Sequence, residues 1–189
     1  MSESINISLP TYQFSVDAYH RLVEVGILKE EDKVELIEGQ IIQMTPIKSP
    51  HAACVDRLGD LLRTLFIKKS IVRSQNPITL GEHSEPEPDL VIVKYKADYY
   101  ETAHPKPAAI FIAIEISQST EQYDRTIKMP LYAKYGIPEA WLVNLNKKEI
   151  EIYQQPTESG YSTCSIYGLT DIIQSKLLKK PLPIKQIIK

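Results

Sequence analysis

Apolar residues follow two spacings along this chain, and these spacings divide it into strands and helices. Continuous or alternating apolar runs predict β-strands at 34–37, 40–44, 71–80, 89–94, 110–117, 140–144, 149–153 and 161–167. Apolar residues that recur every three or four positions predict helices at 15–28, 50–68 and 119–135. The runs at 89–94 and 110–117 are almost entirely apolar, so we expect them in the middle of a sheet that is covered on both faces.

Two prolines and a pair of polar residues refine these elements. Asn76-Pro77 interrupts the third predicted strand. Pro130 should kink or split the helix at 119–135, because proline has no N–H and crowds the preceding turn. Ser119 and Gln122 have the spacing of a capping box, which predicts the start of that helix.

Two carboxylates stand within or beside the most apolar strands. Glu115 lies inside the run 111–117, and Asp89 stands at the entrance of the run 90–93. A charge taken out of water there costs on the order of several kcal/mol unless it is paired, protonated or bound to a metal. If the two strands are neighbours, both carboxylates lie at one end of the sheet. Such a pair suggests a divalent-metal site for phosphodiester hydrolysis.

Lys128 is a candidate cationic partner for these carboxylates. On the predicted helix it shares a face with Asp124, Leu131 and Tyr135. If that face is turned toward the sheet, the ammonium group points toward the end of the strand that carries Glu115. The alternative is an exposed Asp124–Lys128 pair, worth about 0.3–0.5 kcal/mol. Spacing alone leaves both interpretations open.

Each candidate residue also has a simpler explanation when it is taken alone. Asp89 follows a proline and could be an ordinary turn residue at the start of a strand. Glu115 could lie at an exposed strand end, His51 could be a surface residue of the second helix, and Glu35 could pair locally. The combination, rather than any single residue, indicates a site.

The two carboxylates and the lysine are the groups that metal-dependent phosphodiester cleavage uses. Mg²⁺ binds one or two carboxylates together with waters and substrate phosphate, and the backbone carbonyl of Ile116 could complete the ligands. A lysine beside such a site can orient or deprotonate water, or offset phosphate charge. Mg²⁺ is therefore the expected cofactor, with Mn²⁺ as an alternative.

Composition and charge limit the class of protein. With 189 residues, 43% hydrophobic and 24% charged, the chain is expected to form one domain over 1–189. The net charge of -2 gives no overall attraction to nucleic acid, so any DNA affinity must come from local patches. No apolar run reaches the roughly 18 residues of a membrane span, and the N-terminus does not resemble a signal peptide. We therefore expect a cytoplasmic protein, without a membrane partner and with Cys54 and Cys164 reduced.

Several stretches of the sequence carry a family resemblance. They are VELIEGQIIQMTP, SPHAACVDRLGDLL, SQNPITL, EPEPDLVIV and IEISQSTEQYDRTIKMPLYAKYGIPEAWLVN, which together span most of residues 34–153. In these stretches the chain resembles the restriction-endonuclease-like proteins of the PD-(D/E)XK nuclease superfamily, in a group that is numerous in cyanobacteria. The resemblance implies an α/β fold of the mixed α+β kind, with a central mixed β-sheet flanked by helices and metal ligands at a strand fork. The domain core would cover about 34–153.

The resemblance also implies roles for individual residues. Asp89 matches the first Asp of the superfamily, and Glu115 matches the acidic residue of its E-x-K element. Ser117 stands where the lysine of that element would be, and Lys128 is the position to which the lysine has moved. These three residues are the implied catalytic residues, together with Glu35.

The resemblance gives Glu35 an outer position in this set, and it implies three further residues, Glu38, His51 and Gln75. Glu35 would be an outer contact to metal or water, with Glu38 as the alternative to it. His51 would bind substrate or orient the site, and Gln75 would line the cleft.

The expected function is a Mg²⁺-dependent endonuclease that hydrolyses DNA, with a homodimer as a plausible way to cut both strands. Two alternatives remain at this level: a catalytically inactive nucleic-acid-binding or regulatory protein, and a phosphoesterase with a substrate other than DNA. A basic groove formed by Arg57, Arg63, Lys94 and Arg125 would favour DNA.

Overall fold

A mixed β-sheet forms the centre of the protein. The computed structural model describes residues 11–29, 31–66, 69–175 and 177–189. In these ranges the central sheet has six strands in the order β3-β4-β5-β6-β7-β8. They are β3 Ser70–Ser74, β4 Leu90–Lys94, β5 Ile110–Ser117, β6 Glu139–Asn144, β7 Glu149–Thr157 and β8 Gly160–Gly168. β5 and β6 run parallel, and the other neighbouring pairs run antiparallel. The predicted mixed sheet is therefore confirmed.

Helices cover both faces of this sheet. Their bounds are α1 Val16–Glu24, α2 Ser49–Leu65, α3 Glu121–Tyr123 and α4 Met129–Lys134, with short 3-10 turns at Pro107–Ala109 and Ile184–Gln186. A π-helical turn, Asp124–Lys128, joins α3 to α4. Within the described ranges, none of these helices is long and apolar enough to cross a membrane.

Successive residues of β4 enter two different hydrophobic cores, because side chains alternate across a strand. Leu90 and Ile92 pack in the core that contains α2, whereas Val91 and Val93 pack in the core that contains α4. All four residues are fully buried. This arrangement explains why the strand reads as a continuous apolar run in the sequence.

A small hairpin lies beside the central sheet. Its strands, β1 Val34–Ile37 and β2 Gln40–Gln43, are joined by Glu38 and Gly39, whose φ angles of 48° and 76° match the positive values of a type I′ turn. A two-residue sheet, β9 Ile172–Ile173 with β10 Leu182–Pro183, lies near the C-terminus.

Two elements differ from their predictions because of local backbone geometry. The strand predicted at 71–80 ends at Ser74, since Gln75 has a φ of 50° and its N–H donates to the Asp89 carbonyl at 3.0 Å. The helix at 119–135 begins at Glu121, and its N-cap, Thr120, makes no side-chain capping hydrogen bond, so the predicted capping box is wrong.

Pro130 neither breaks nor splits that helix. The π turn before it lets the Met129 N–H reach back five residues to the Asp124 carbonyl, so the helix continues into α4. The missing N–H of the proline is accommodated by this shift in the hydrogen-bond pattern.

Candidate active site

Asp89 and Glu115 lie where two central strands separate. The last paired residues at this end of β4 and β5 are Leu90 and Ile114. Asp89 precedes β4, and its Oδ2 accepts the Ile116 N–H at 2.8 Å. The aspartate side chain thus replaces the backbone partner that a longer β4 would supply. Glu115 lies next to this contact and is 3% exposed.

His51 joins this fork from the first turn of α2. Its Nε2 lies 2.9 Å from Asp89 Oδ2. Burial lowers the pKa of His51, but the hydrogen bond and charge of Asp89 outweigh it, so the pKa lies above its ordinary value. Its Nδ1 is buried without a hydrogen-bond partner among the described residues. The contact fits the predicted orienting role of His51, because it fixes one oxygen of Asp89.

Lys128 points inward and lies between two carboxylates. Its Nζ is 3.0 Å from Glu35 Oε2 and 3.2 Å from Glu115 Oε1, and all three side chains are buried. Burial lowers the pKa of Lys128, but Glu115, Glu35 and Asp124 outweigh it and hold the pKa above its ordinary value. The ammonium is therefore charged, and the geometry favours the inward-facing interpretation over an exposed pair.

Glu35 is held in this cluster by contacts from two other segments. Its Oε2 accepts the Glu87 N–H at 3.1 Å, and its Oε1 accepts the Tyr123 hydroxyl at 3.4 Å. The alternative residue, Glu38, lies elsewhere: it is exposed and pairs with Lys134 at 2.9 Å. The structure thus separates the two candidates, and Glu35 is the one at the fork.

Two residues that the sequence interpretation did not place in the site belong to it. Tyr132 is fully buried, and its hydroxyl donates a hydrogen bond to Glu115 Oε1. Asp124 is 4% exposed and accepts a hydrogen bond from Thr120 Oγ1 at 2.6 Å. Tyr132 follows Lys128 by one helical turn, so the i, i+4 spacing was the available signal. Burial of Asp124 raises its pKa.

One cavity of about 560 Å³ is lined by the side chains of Glu35, His51, Asp89, Glu115, Asp124 and Lys128. Among the described residues around it, five acidic side chains face two lysines; the acids are Glu35, Glu87, Asp89, Glu115 and Asp124, and the lysines are Lys48 and Lys128. Burial raises the pKa of Glu115 well above its ordinary value and also raises that of Glu87. Gln75 and Ile116 line the same cavity. The cavity therefore has an excess of carboxylates, which a further cation would offset.

The donor atoms fit a hard divalent cation. Within the described part of the chain, the hydrogen bonds and ion pairs of Asp89 involve Oδ2 and those of Glu115 involve Oε1. One oxygen of each carboxylate is thus open to a further ligand. No group of three or more His, Cys, Asp or Glu side chains in that part of the chain has a metal-binding arrangement. Mg²⁺ commonly uses only one or two carboxylates and keeps several waters, so the two open oxygens suffice.

The four basic residues whose convergence in a groove would favour DNA do not line this cavity. Arg57 Nε donates to the Ile187 carbonyl at 2.8 Å, and Arg63 pairs with Asp60 at 2.9 Å. Arg125 pairs with Glu121 and Glu151. Lys94 stands at the opposite end of β4 from Asp89, roughly 16 Å along the strand. These four residues therefore do not converge at the cavity, and they supply no support for DNA as the substrate.

A mixed sheet with covered faces and an acidic cavity at a strand fork defines a nuclease-like fold of the restriction-endonuclease type. A crystal structure described as a putative nuclease belonging to DUF820, from Anabaena variabilis ATCC 29413, has this fold. It matches with a TM-score of 0.69 at 18% sequence identity, over 92% of this chain and 97% of that one.

The sequence assigns the chain to a particular family within this fold. The model of the Uma2 family, described as "Putative restriction endonuclease", matches residues 16–181, and the chain belongs to this family. No curated protein sequence shows a significant match. Family and fold together support a nuclease-like function.

Proposed function

We propose that this protein is a Mg²⁺- or Mn²⁺-dependent endonuclease that hydrolyses phosphodiester bonds in DNA. The observation that carries the proposal is the buried ammonium of Lys128, 3.2 Å from Glu115 Oε1, in a cavity with an excess of carboxylates. A buried cluster of this kind costs stability, so a functional role explains why the chain retains it.

Asp89 and Glu115 would hold the metal through their open oxygens, with the Ile116 carbonyl as the third protein ligand. Bound Mg²⁺ would supply a Lewis acid that activates water and offsets charge on phosphate oxygens. The chain's own residues prepare this site: His51 fixes Asp89 from one side, and the Tyr132 hydroxyl fixes Glu115 from the other.

Lys128 would position the attacking water or donate a hydrogen bond to a phosphate oxygen. Its raised pKa argues against deprotonation of the water by Lys128 itself, because a charged ammonium donates but does not accept a proton. Glu35 would orient Lys128 through the 3.0 Å contact to its Nζ. In this arrangement Glu35 supports catalysis through the lysine.

The test combines metal binding with DNA cleavage. Asp89→Asn and Glu115→Gln keep side-chain size but remove the charges, and we expect each to lower metal affinity in calorimetry and to abolish cleavage by purified protein. The matched control is Glu139→Gln. Glu139 is also a buried carboxylate, but it accepts from Trp141 Nε1 and Gln154 Nε2, each at 2.6 Å, at the other end of β6. The control variant should bind metal normally.

The outcomes separate the proposal from its alternatives. Equal metal binding by wild type and Asp89→Asn would remove the proposed metal site. DNA binding without metal-dependent cleavage would indicate an inactive binding protein. Cleavage of a small phosphodiester without action on DNA would indicate another phosphoesterase. A homodimer stays a prediction, which sedimentation of the purified protein would test.

A further inference from the structure

A second surface, away from the cavity, combines exposed tyrosines with basic side chains. It consists of Lys69, Arg73, Lys94, Tyr95, Lys96 and Tyr99, which we call the basic tyrosine patch. It lies at the edge of the central sheet, where β3 begins and where β4 ends and the loop after it starts. Tyr95 is 38% exposed and Tyr99 is 62% exposed.

The aromatic rings and the cations of the patch are in contact. Lys69 Nζ lies 3.7 Å from the centre of the Tyr95 ring. The Tyr95 and Tyr99 rings meet edge to face, with centroids 6.0 Å apart. This interleaving of rings and cations is what a surface for unpaired bases and phosphates requires.

The local charge of the patch is opposite to that of the whole chain. Segments 69–73 and 94–101 contain four basic and two acidic residues, whereas the chain as a whole has a net charge of -2. One of the acidic residues, Asp98, pairs with Lys96 at 2.7 Å. Even with this pair, cations remain in excess, so the patch is complementary to a polyanion.

Tyr99 is presented by an unusual backbone. Tyr99 and Tyr100 are consecutive non-glycine residues with φ angles of 51° and 64°, a region that bulky side chains rarely adopt. Two hydrogen bonds hold the turn: the Tyr100 hydroxyl donates to the Lys94 carbonyl at 2.7 Å, and Arg73 Nη1 donates to the Tyr99 carbonyl at 3.2 Å. A strained turn that is fixed in this way, with its ring exposed, points to a binding role.

Arg73 connects the patch to the cavity. Besides its contact with Tyr99, its Nη2 donates to Asn76 Oδ1 at 3.3 Å, and Asn76 follows Gln75, which lines the cavity. Arg73 and Asn76 thus link the turn that carries Tyr99 to the segment that lines the cavity.

We propose that the basic tyrosine patch binds single-stranded nucleic acid, with Tyr95 and Tyr99 stacking on bases and the surrounding lysines contacting phosphates. Stacking needs unpaired bases, which favours a single strand over a duplex. The proposal deepens the proposed nuclease function by naming the form of its substrate and rests on that function for its biological meaning. Binding itself is independent of metal and of cleavage.

The experiment measures fluorescence anisotropy of an oligothymidylate of about 12 nucleotides, with a chelator present and across a salt series. Tyr99→Asn removes the ring but keeps a residue that accepts a left-handed backbone, and it should weaken binding about five- to 150-fold. Lys94→Gln should also weaken binding, and it should reduce the salt slope by about 0.7 because one phosphate contact is lost.

Two matched controls lie outside the patch. Tyr12→Ala removes another exposed tyrosine, and Lys185→Gln removes another exposed lysine. Both should bind like wild type. Absence of wild-type binding, or equal affinity of Tyr99→Asn and Lys94→Gln to wild type, would overturn the patch assignment. Tighter binding of a duplex of the same length would overturn the single-strand assignment.

One further variant separates this proposal from the nuclease proposal. Glu115→Gln should keep full binding of the oligonucleotide, because the patch does not include the cavity. Loss of binding in Glu115→Gln would contradict the patch as the main contact surface. Full binding by the patch without any cleavage by wild type would contradict the nuclease proposal and would still support the patch assignment.

Discussion

Lys128 and Arg125 belong to the same helical turn, yet they face two different kinds of charge cluster. Lys128 faces the cavity, where it meets Glu35 and Glu115 among an excess of carboxylates. Arg125 faces outward, where its Nε contacts Glu151 at 3.2 Å and its Nη1 contacts Glu121 at 2.8 Å. In both clusters one cation pairs with two glutamates.

The difference lies in charge balance and burial. In the outer cluster, Lys147 is a second cation, 2.8 Å from Glu121 and 3.8 Å from Glu149, so two cations meet three acids. In the cavity, burial raises the pKa of Glu115 and Asp124, and the charge of Asp89 raises both further although Lys128 lowers them. We infer that the outer cluster stabilises the fold, whereas the inner cluster costs stability and is retained for chemistry.

The largest effect is expected from removal of the buried cation. Lys128→Met leaves two buried carboxylates uncompensated, and we expect it to lower the free energy of unfolding by about 3–5 kcal/mol in denaturant titration. The double variant Lys128→Met with Glu115→Gln removes one of those charges and should recover part of the loss. If the double variant is less stable than the single one, the two side chains are not coupled as the contacts indicate.

The outer cluster should lose stability when its buried acid is removed. Burial raises the pKa of Glu151, but hydrogen bonds from Arg125 and Tyr153 outweigh it and hold the pKa below the ordinary 4.5. We expect Glu151→Gln to lower the free energy of unfolding by about 1–3 kcal/mol near neutral pH.

The pH dependence of this variant has a defined sign. A lowered carboxyl pKa contributes stability above the unfolded value of 4.5, and that contribution is lost as the pH falls through the folded value. The difference between wild type and Glu151→Gln should therefore shrink on acidification below about pH 4.5. A difference that grows on acidification would exclude Glu151 as a stabilising carboxylate.

The inner cluster should respond in the opposite direction. Asp124→Asn removes one excess carboxylate and keeps an oxygen to accept from Thr120, so we expect an increase in unfolding free energy of up to about 1 kcal/mol. Because burial raises the pKa of Asp124, the gain should appear as the pH rises above 3.8 and vanish below it. A loss of stability comparable to that of Glu151→Gln would erase the contrast between the two clusters.

The smallest effect is expected from an exposed pair on the neighbouring helix. Lys134 contacts Glu38 at 2.9 Å, and both side chains are about half exposed. Lys134→Met should change the free energy of unfolding by less than about 1 kcal/mol, and the change should shrink further in high salt. Comparison with Lys128→Met on the same helical segment isolates the contribution of burial.

The sequence predicted the strands of the site better than its helix. Asp89 and Glu115 stand beside long apolar runs, and that contrast made both visible before any contact was known. The π turn was not predictable, since periodicity assumes a constant rotation per residue. The spacing placed Asp124 on the same face as Lys128 and left open whether that face was buried or exposed; the structure shows Asp124 buried.

The remaining site residues depend on contacts between distant segments. Glu35 reaches Lys128 from the β1–β2 hairpin, and nothing in its local pattern distinguishes it from Glu38 apart from the family resemblance. Tyr132 was not singled out, because an aromatic ring fits a buried position whether or not its hydroxyl has a partner. The basic tyrosine patch was missed since its rings and cations come from two separate segments.

The π turn marks the place in this helix where a change in chain length is least disruptive. A π turn is equivalent to an α-helix with one inserted residue, so deletion of a single residue such as Thr126 would allow a regular α-helix to form. The Met129 N–H would still reach the Asp124 carbonyl, now four residues away, so Asp124 and α4 would keep their orientation to each other. A deletion inside α4, by contrast, would rotate the residues on its two sides by about 100° relative to each other. Loss of one residue at the π turn should therefore leave the carboxylates and Tyr132 of the site in place, whereas the same loss a few residues later should not.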